Sequence, residues 1–478
     1  MKKNVIYLFA FVSLLFIAAC SDDDTTKTAT NAAAFANPAI NLTANATPVN
    51  VVFLEPTTAA GTVTLNLTTT GVVYGTDFNT APAAVSNTIT LPFAANVSSV
   101  SFVFNRLTTP FEGQVKNVVF TIASISTNGI TIPAATKAVQ VNFGETPLVT
   151  NSVAPAIGGP NVPNQVYVDL SSGASTPVKR TSWDLGFYSG SEFRVVLNGS
   201  IKMAVKKLDI TDMTQVVTVD NTVAVGEGGG SGVVNGNKDY VDGPSGDITL
   251  TAMSEVSSTD SENKVYLVNL GFGLSTVVPN AGSVNAYGDA RGWKKIRILK
   301  SGSDYKLQYA DVAATTFSEV TITKNSAYNF TFFSFDTKAV VAAEPEKAKW
   351  DLNFTSFTNH TNMGTGLVSY PFQDFIVTNA KGGTRAYQVL NSAGVAYAAF
   401  TLANVTTANF EAPAAADQTV IGSNWRNGGG PTTLPSIKDD RFYVIKDAAG
   451  NIYKVRFVAM INAASERGNP SFEYSLLK

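Results

Sequence analysis

Hydrophobic and polar residues alternate with a period of two in many short runs of the chain, and this period predicts β-strands. Residues 62–67, 100–104 and 138–143 alternate in this way and are separated by turn-forming residues. Two later stretches, 295–309 and 442–457, alternate on both sides of a glycine-containing turn, which is the pattern of a β-hairpin. No stretch after the N-terminus has the period of an amphipathic helix longer than two or three turns. The sequence therefore predicts an all-β protein.

Turn-rich and low-complexity stretches divide the chain into predicted domains. Residues 49–150 hold short strand-like runs at the spacing of a small β-sandwich. Residues 20–48 are rich in Thr, Ala and Asn and predict an export tag followed by a tether, whereas residues 151–165 contain three prolines and a Gly-Gly pair and predict a linker. The remainder contains an internal repeat, with copy 1 predicted at 166–326 and copy 2 at 327–478.

Each copy carries the pattern Trp-Asp-Leu-x-Phe, at residues 183–187 and 350–354. In a regular strand the Trp, Leu and Phe of this pattern lie on one face. We predict that four of these side chains lie in the core: Trp183, Leu185, Trp350 and Leu352. The pattern thus indicates a fold signature rather than a site.

The N-terminus has the features of a targeting segment, predicted at residues 1–19. Two lysines precede an apolar run that ends in Ala-Ala-Cys20, and this ending resembles a bacterial lipobox. The resemblance implies cleavage before Cys20 and its acylation, so that lipid chains anchor the protein to a membrane. The acidic residues 22–24 resemble the export tag of surface lipoproteins in the Bacteroidetes, which implies the outer face of the outer membrane. Cys20 is the only cysteine, so an intrachain disulfide and thiol catalysis are excluded.

Charge narrows the choice of partners. Charged residues make up 15% of the chain and the net charge is −2, so no basic face for nucleic acid is expected. The surface must be built largely from Thr, Asn, Ser and Gly.

The stretch 74–78, followed by a Thr-rich strand, resembles Calx-β and immunoglobulin-like modules. The four acids between residues 31 and 150 are too scattered for the six to eight oxygen ligands of Ca²⁺, so a spacer or interaction domain is expected.

The later part of the chain, about residues 166–478, resembles the HmuY-like haem-binding lipoproteins of the Bacteroidetes. The resemblance rests on the opening strand 166–170, the Trp-Asp-Leu-x-Phe pattern and the hairpin 443–457. It implies an all-β fold that takes up haem, free or from a haem-carrying host protein, and passes it to an outer-membrane TonB-dependent transporter. Members of this family ligate the iron with two axial side chains, paired His in some and Met in others.

Copy 2 is longer than copy 1 at one place. From Trp183 to Asn198 the chain spans 15 residues, whereas from Trp350 to Asn379 it spans 29, so copy 2 carries 14 extra residues. We expect a surface loop here, since loops on a rigid scaffold commonly carry sites. The insertion holds His360, the only histidine of the protein.

His360 and Met363 are the predicted ligands of haem iron, because imidazole and thioether both suit this metal. Tyr370 and Phe372 are the predicted walls of an apolar pocket. A bis-His site is impossible with one histidine. Three other thioethers are expected in the core: Met203, Met253 and Met460.

Three functions remain open. The first is a non-enzymatic haem-binding lipoprotein, acting as a haemophore or accessory haem receptor. The alternative is a surface adhesion or glycan-binding lipoprotein that keeps the fold without haem. A third is a hydrolase with paired carboxylates such as Asp184 and Asp351, although nothing in their spacing favours it. Zinc enzymes usually need several His or Cys ligands, and no serine lies in a nucleophile elbow.

Overall fold

The computed structural model describes residues 31–42, 44–108, 116–143, 150–228, 233–234, 236–362, 366–430 and 433–478. The predicted signal peptide, Cys20 and Met363 lie outside the described residues. The prediction of an all-β protein is confirmed, because the described secondary structure is almost entirely strand, with one α-helix, α1 (Ala408–Glu411). In these ranges no helix is both long enough and apolar enough to cross a membrane. The chain divides into an N-terminal unit (Met1–Pro110 and Gln114–Thr146) and a C-terminal unit (Phe111–Gly113 and Pro147–Lys478).

The N-terminal unit contains two five-stranded sheets. Its strands are β1 Asn31–Phe35, β2 Ala39–Asn41, β3 Ala46–Phe53, β4 Gly61–Thr70, β5 Phe78–Ala81, β6 Thr88–Phe93, β7 Ser99–Arg106, β8 Asn117–Ile125, β9 Ile130–Thr131 and β10 Ala138–Asn142. One sheet has the order β5-β7-β3-β1-β9 and the other β2-β10-β8-β4-β6. Their inward side chains form one hydrophobic core, in which Val63 and Leu65 of β4 pack with Phe102 and Phe104 of β7.

Residues 31–48, expected to belong to a tether, contribute β1, β2 and the start of β3 to these sheets. Ala33 and Phe35 of β1 are buried in the core. Alanine is too weakly hydrophobic to mark a strand in the sequence pattern, yet its small side chain packs readily between sheets. The residues expected to form a linker, 151–165, also differ from the expectation, since they carry strand segments and bury Ile157 and Val162.

The C-terminal unit is built from four larger sheets. Its strands are β11 Thr150–Val153, β12 Asn164–Val168, β13 Ser175–Lys179, β14 Leu185–Tyr188, β15 Val195–Leu197, β16 Ala204–Lys207, β17 Glu227–Gly228, β18 Val233–Val234, β19 Val265–Asn269, β20 Trp293–Ser301, β21 Asp304–Asp311, β22 Ser318–Ile322, β23 Phe330–Ser334, β24 Ala339–Val341, β25 Leu352–Asn362, β26 Leu367–Thr378, β27 Arg385–Leu390, β28 Arg426–Asn427, β29 Ser436–Ile437, β30 Arg441–Lys446, β31 Ile452–Ile461 and β32 Arg467–Leu476. The sheet orders are β11-β32-β31-β30-β27, β13-β12-β25-β26, β15-β14-β23-β24 and β16-β19-β20-β21-β22, with two-stranded ribbons β17-β18 and β28-β29. Short 3-10 helices connect them at Arg180–Ser182, Gly199–Ile201, Lys238–Tyr240, Ile248–Leu250, Asp260–Glu262, Asn391–Ala393, Tyr397–Ala399, Leu402–Asn404 and Pro413–Ala416.

The opening hairpin of each copy pairs with the Trp-Asp-Leu-x-Phe strand of the other copy. Hairpin β12–β13 of copy 1 adds to β25 of copy 2, with Val168 opposite Leu352. Hairpin β23–β24 of copy 2 adds to β14 of copy 1, with Phe333 opposite Leu185. We call these two hairpins the exchanged hairpins. Strand β11 likewise pairs with β32, at the end of copy 2. Neither copy therefore completes its sheets alone.

The Asp of the repeated pattern fixes each exchanged hairpin. Oδ2 of Asp351 accepts a hydrogen bond from the backbone N–H of Leu170 at 2.9 Å, and Oδ2 of Asp184 accepts one from Phe335 at 2.6 Å. Both acids are buried, and Asp184 also pairs with Arg291. These carboxylates therefore join the two copies, and the hydrogen bonds that they accept give each a structural role.

The Trp and Leu of the pattern are buried as predicted, but they do not share a face. Leu185 lies in one cluster with Phe187, whereas Trp183 packs edge-to-face on Phe332, with ring centroids 4.7 Å apart. Trp350 packs in the same way on Tyr167, at 4.9 Å. The alternation fails because β14 and β25 begin only at the Leu of the pattern, so the Trp precedes the regular strand.

Candidate functional site

The 14 extra residues of copy 2 lengthen a hairpin instead of forming the expected surface loop. Strands β25 and β26 have 11 and 12 residues, whereas their counterparts β14 and β15 have 4 and 3. The extension is possible because its Thr, Phe, Tyr and Val residues favour strands. A register shift between Thr355 and Phe357 separates the extension from the part shared with copy 1.

His360 lies on β25, opposite Ser369 of β26, and is half-buried. Its imidazole lies near the backbone of Lys238, in a short helix of copy 1. The ring nitrogen Nε2 is shielded from solvent and has no hydrogen-bond partner among the described residues. Burial lowers the pKa of His360, and the nearby Lys238 ammonium lowers it further. Both effects favour the neutral imidazole.

The hairpin that carries His360 is held against copy 1 by backbone contacts. The N–H of Ser369 donates to the carbonyl of Gly236 at 2.7 Å, and its own carbonyl accepts from Gly226 at 3.1 Å. Nearer the base, the hydroxyl of Thr358 donates to the carbonyl of Gly199 at 2.7 Å. Gly226 and Gly236 of copy 1 thus pair with the edge of β26 at Ser369, where the strand would otherwise leave its backbone groups unpaired.

Tyr370 and Phe372 lie on the opposite face of the hairpin from His360. Residues that are directly opposite in an antiparallel pair share a face and neighbours along a strand alternate, so Tyr370, which is opposite Asn359, points away from His360. The ring centroids of Tyr370 and Phe372 are 5.7 Å apart, and those of Phe372 and Phe375 are 6.1 Å apart. The structure thus brings these two aromatic residues together but does not place them beside the histidine.

The three thioethers predicted for the core are buried. Met203 is fully buried, and Met253 and Met460 are each 2% exposed, within hydrophobic clusters. They fill the core, as predicted.

A second feature, which sequence reasoning missed, is a cavity of about 180 Å³ between the two copies. We call it the inter-copy cavity; it lies where the exchanged hairpins meet the Trp-Asp-Leu-x-Phe strands. Its lining includes Tyr167, Trp183, Phe332, Trp350, Asn353 and Thr378. One signal in the sequence points toward it, since Asn353 occupies the variable position of the pattern where copy 1 has Gly186. A polar residue in a strand buried on both faces needs a partner.

Two acids border this cavity, Glu344, which is buried, and Asp242, which is half-buried. Both oxygens of Asp242 accept backbone N–H groups, from Leu197 and Ala252, and burial raises its pKa to about 6. Glu344 uses one oxygen, Oε1, to accept the N–H groups of Asn329 and Phe330, and burial raises its pKa to about 8. Glu344 is therefore largely protonated at pH 7 and adds little charge to the cavity.

We expect Glu344→Gln to remove part of the pH dependence of stability. A carboxyl group whose pKa rises from 4.5 to about 8 on folding stabilises the fold below pH 4.5, and this contribution is lost as the pH rises through about 8. The free energy of unfolding of the unsubstituted protein should therefore fall between pH 6 and 9. The free energy of unfolding of the Gln variant should fall less over this range. At pH 9 it should exceed that of the unsubstituted protein by at least about 1 kcal/mol.

Urea unfolding at several pH values measures this difference. Glu346→Gln is the matched control, because Glu346 is exposed two residues along the chain. Equal pH slopes for the unsubstituted protein and the Glu344 variant would contradict the assignment.

Comparisons with known proteins agree with the repeated architecture. The family model described as HmuY protein matches the chain twice, over residues 161–324 and 326–474. None of the curated proteins compared with the chain matches it.

Among solved structures, the apo form of the Calx CBD1 domain is 14% identical and covers 23% of this chain and 96% of its own, with a TM-score of 0.20. A two-domain protein of unknown function from Bacteroides fragilis is 9% identical and covers 39% of this chain and 72% of its own, with a TM-score of 0.19. At these TM-scores the likenesses support no further conclusion.

The family matches together span more than half of the chain and include both Trp-Asp-Leu-x-Phe strands, both exchanged hairpins and the His360 hairpin. The chain belongs to the HmuY family, and it carries two copies of the family domain.

Proposed function

We propose that this protein is a non-enzymatic, surface-anchored lipoprotein that binds haem and holds the iron through Nε2 of His360. The observation that carries the proposal is the state of this imidazole. Nε2 is buried and has no hydrogen-bond partner among the described residues, and the imidazole lies near the backbone of Lys238. A histidine that ligates a metal commonly donates its second ring N–H to a backbone carbonyl, which fixes the tautomer and leaves the other nitrogen free for the metal.

The donor set of the hairpin fits haem iron on chemical grounds. A neutral imidazole is a common axial ligand, and a thioether supplies the other axial position in several haem proteins. Met363 follows His360 by three residues and is the proposed second ligand. Tyr370 and Phe372, expected as pocket walls, face the other side of the hairpin, so the proposal assigns them no direct contact with the haem.

Access to Nε2 requires a local movement, because the nitrogen is shielded from solvent. The Lys238–Tyr240 helix contacts His360 and follows Gly236, whose φ of +89° suits glycine and not other residues. Gly236 is also bound to Ser369 of the hairpin through its backbone. We propose that this segment moves aside when haem enters and so exposes Nε2.

The location and partners in this proposal come from the N-terminal sequence and the family. The lipobox at Cys20 and the acidic residues after it support anchoring on the outer face of the outer membrane. Membership of the HmuY family supports haem or a haem-carrying host protein as the source, and a TonB-dependent transporter as the recipient.

We expect haemin to give a Soret band shift with the mature protein, and His360→Ala to weaken binding by at least about tenfold, or about 1.4 kcal/mol. The measurement is an optical titration in the ferric and ferrous states. Asn359→Ala is the matched control, since Asn359 is the neighbouring residue on the other face of the same strand. Met363→Ala, examined in the same way, tests the second ligand.

An unchanged haemin spectrum in both iron states would contradict the proposal. Equal weakening by His360→Ala and Asn359→Ala would mean that the hairpin as a whole, and not the imidazole, matters. Absence of haemin binding together with binding to a glycan array would favour the alternative of an adhesion or glycan-binding lipoprotein.

A further inference from the structure

The inter-copy cavity contains buried polar groups that the fold leaves without partners. Trp183 and Trp350 are each 8% exposed, and the indole N–H of each has no hydrogen-bond partner among the described residues. Both side chains line the cavity. A buried donor without a partner costs about 1–3 kcal/mol, and two of them in equivalent positions of a repeat are unusual in a folded protein.

Two acceptors in the same lining are also without partners. Oδ1 of Asn353 and Oγ1 of Thr378 are buried, and no described residue donates a hydrogen bond to them. Asn353 lies opposite Tyr167 of the exchanged hairpin, and Thr378 lies opposite Leu352. Donors and acceptors are therefore both present around one cavity, so a ligand bearing hydroxyl groups could satisfy all four.

Aromatic rings supply the apolar part of the lining. Trp183 is held on Phe332 and Trp350 on Tyr167, in two edge-to-face pairs related by the repeat. Phe330 and Phe357 also line the space. Rings of this kind pack against the apolar face of a small cyclic molecule. A cavity of about 150 Å³ accommodates a benzene ring, so about 180 Å³ is enough for a molecule built on one six-membered ring.

The charges around the cavity favour a neutral ligand. Burial keeps Glu344 largely protonated near pH 7, so it offers a carboxylic acid group rather than a full negative charge. Asp242 is fixed by two backbone N–H groups, and Lys381 and Asp247, which also line the cavity, attract each other. The charged groups of the lining thus already have partners, whereas an anion or cation entering this space would lose its hydration.

We propose that the inter-copy cavity binds a small neutral polyhydroxylated ring, the chemistry of a monosaccharide, between Trp183 of copy 1 and Trp350 of copy 2. The ligand would accept hydrogen bonds from the two indoles and donate to Asn353 and Thr378. The site is separate from His360, which does not line the cavity. Because the side chains come from both copies, the site exists only in the paired arrangement.

The test is a titration of the intact protein with free D-glucose, D-galactose, D-mannose and N-acetyl-D-glucosamine, followed by tryptophan fluorescence and calorimetry. We expect at least one sugar to bind saturably, whereas benzoate and benzylamine, ring compounds of opposite charge, do not bind. Trp183→Phe and Trp350→Phe should each weaken binding about three- to tenfold, because each removes one donor while keeping an aromatic ring. Trp293→Phe is the matched control, since Trp293 lies outside the cavity.

Absence of saturation with every sugar would overturn the proposal, as would equal binding of benzoate or benzylamine. Equal weakening by Trp293→Phe would also overturn it, by showing a general effect on the fold. Asn353→Ala provides a second variant if a Trp variant fails to fold. Haemin titration of the same samples distinguishes this site from the His360 site, because loss of sugar binding should leave the Soret shift unchanged.

Discussion

Copy 2 expressed alone, as residues 327–478, is expected not to fold as a stable monomer. Its strand β25 would lose its neighbour β12, and its hairpin β23–β24 would lose its partner β14. Strand β32 would lose β11 at the edge of another sheet. These losses expose three rows of backbone hydrogen-bonding groups, and together they exceed the marginal stability of a domain of this size.

Mixing copy 2 with copy 1 and its preceding strand β11, expressed as residues 150–326, should restore the fold as a one-to-one complex. Light scattering after size-exclusion chromatography gives the stoichiometry, and far-UV circular dichroism gives the cooperativity of unfolding. The uncut fragment 150–478 is the control. A dimer of copy 2 would be consistent with the same pairing, since each protomer could lend its opening hairpin to the other. A monomeric copy 2 that unfolds at the temperature of the uncut fragment would contradict the exchanged arrangement.

Asp184→Ala is expected to lower the free energy of unfolding by about 3–5 kcal/mol. Asp184 is fully buried, accepts the N–H of Phe335 from the exchanged hairpin and pairs with Arg291 at 2.5 Å. Its removal leaves a mostly buried guanidinium with only an exposed carboxylate nearby, and leaves a buried N–H without an acceptor. Urea unfolding at pH 7 measures the loss.

Asp336→Ala is the matched control, because Asp336 binds the same guanidinium at 3.0 Å but is 64% exposed. An exposed ion pair contributes at most about 1 kcal/mol, so this variant should remain close to the unsubstituted protein. An equal loss in the free energy of unfolding for the two variants would contradict the role of Asp184 in holding the exchanged hairpin.

Local structure could be predicted where the period of two was strong. The runs around residues 295–309 and 442–457 form the hairpins β20–β21 and β30–β31, with the turns at the predicted glycines. In these hairpins the two strands are adjacent in sequence, so the local pattern also determines the partner. Burial of Leu185 and Leu352 followed from the same pattern.

The exchange between the copies could not be predicted, because a strand's own residues do not identify a distant partner. The residues of the exchanged hairpins, such as Val168 and Phe333, could pair with the Trp-Asp-Leu-x-Phe strand of either copy. Only the paths of the connecting segments determine that each hairpin pairs with the other copy. The same limit explains the insertion around His360. Gly and Asn residues indicate a loop when taken singly, yet a hairpin already started by Leu352 and Thr378 can continue through them.

The inter-copy cavity could not be predicted from the positions of Trp183 and Trp350. Their place in the repeated pattern predicted the same core as Leu185 and Leu352, but both precede the regular strand and turn toward the space between the copies. Hydrophobic residues that repeat in this way indicate packing, and nothing in the spacing shows that their N–H groups lack partners.

The two copies have diverged around a shared scaffold. Both retain the Asp that binds the exchanged hairpin and the Asn that caps the preceding turn, where Nδ2 of Asn198 and Asn379 donates to the carbonyls of Trp183 and Trp350, each at 2.8 Å. Only copy 2 has the long hairpin and the histidine. Copy 1 supplies the segment that contacts His360, so the proposed haem site depends on both copies although its ligand comes from one.

The number of haem molecules bound per chain tests this account most directly. We predict saturation at one haemin per chain in an optical titration of the mature protein, because the His360 hairpin is present in copy 2 alone. In the His360→Ala variant haemin binding should weaken by at least about tenfold. Saturation at two haemins per chain, one for each family copy, or no Soret shift at all would contradict the account.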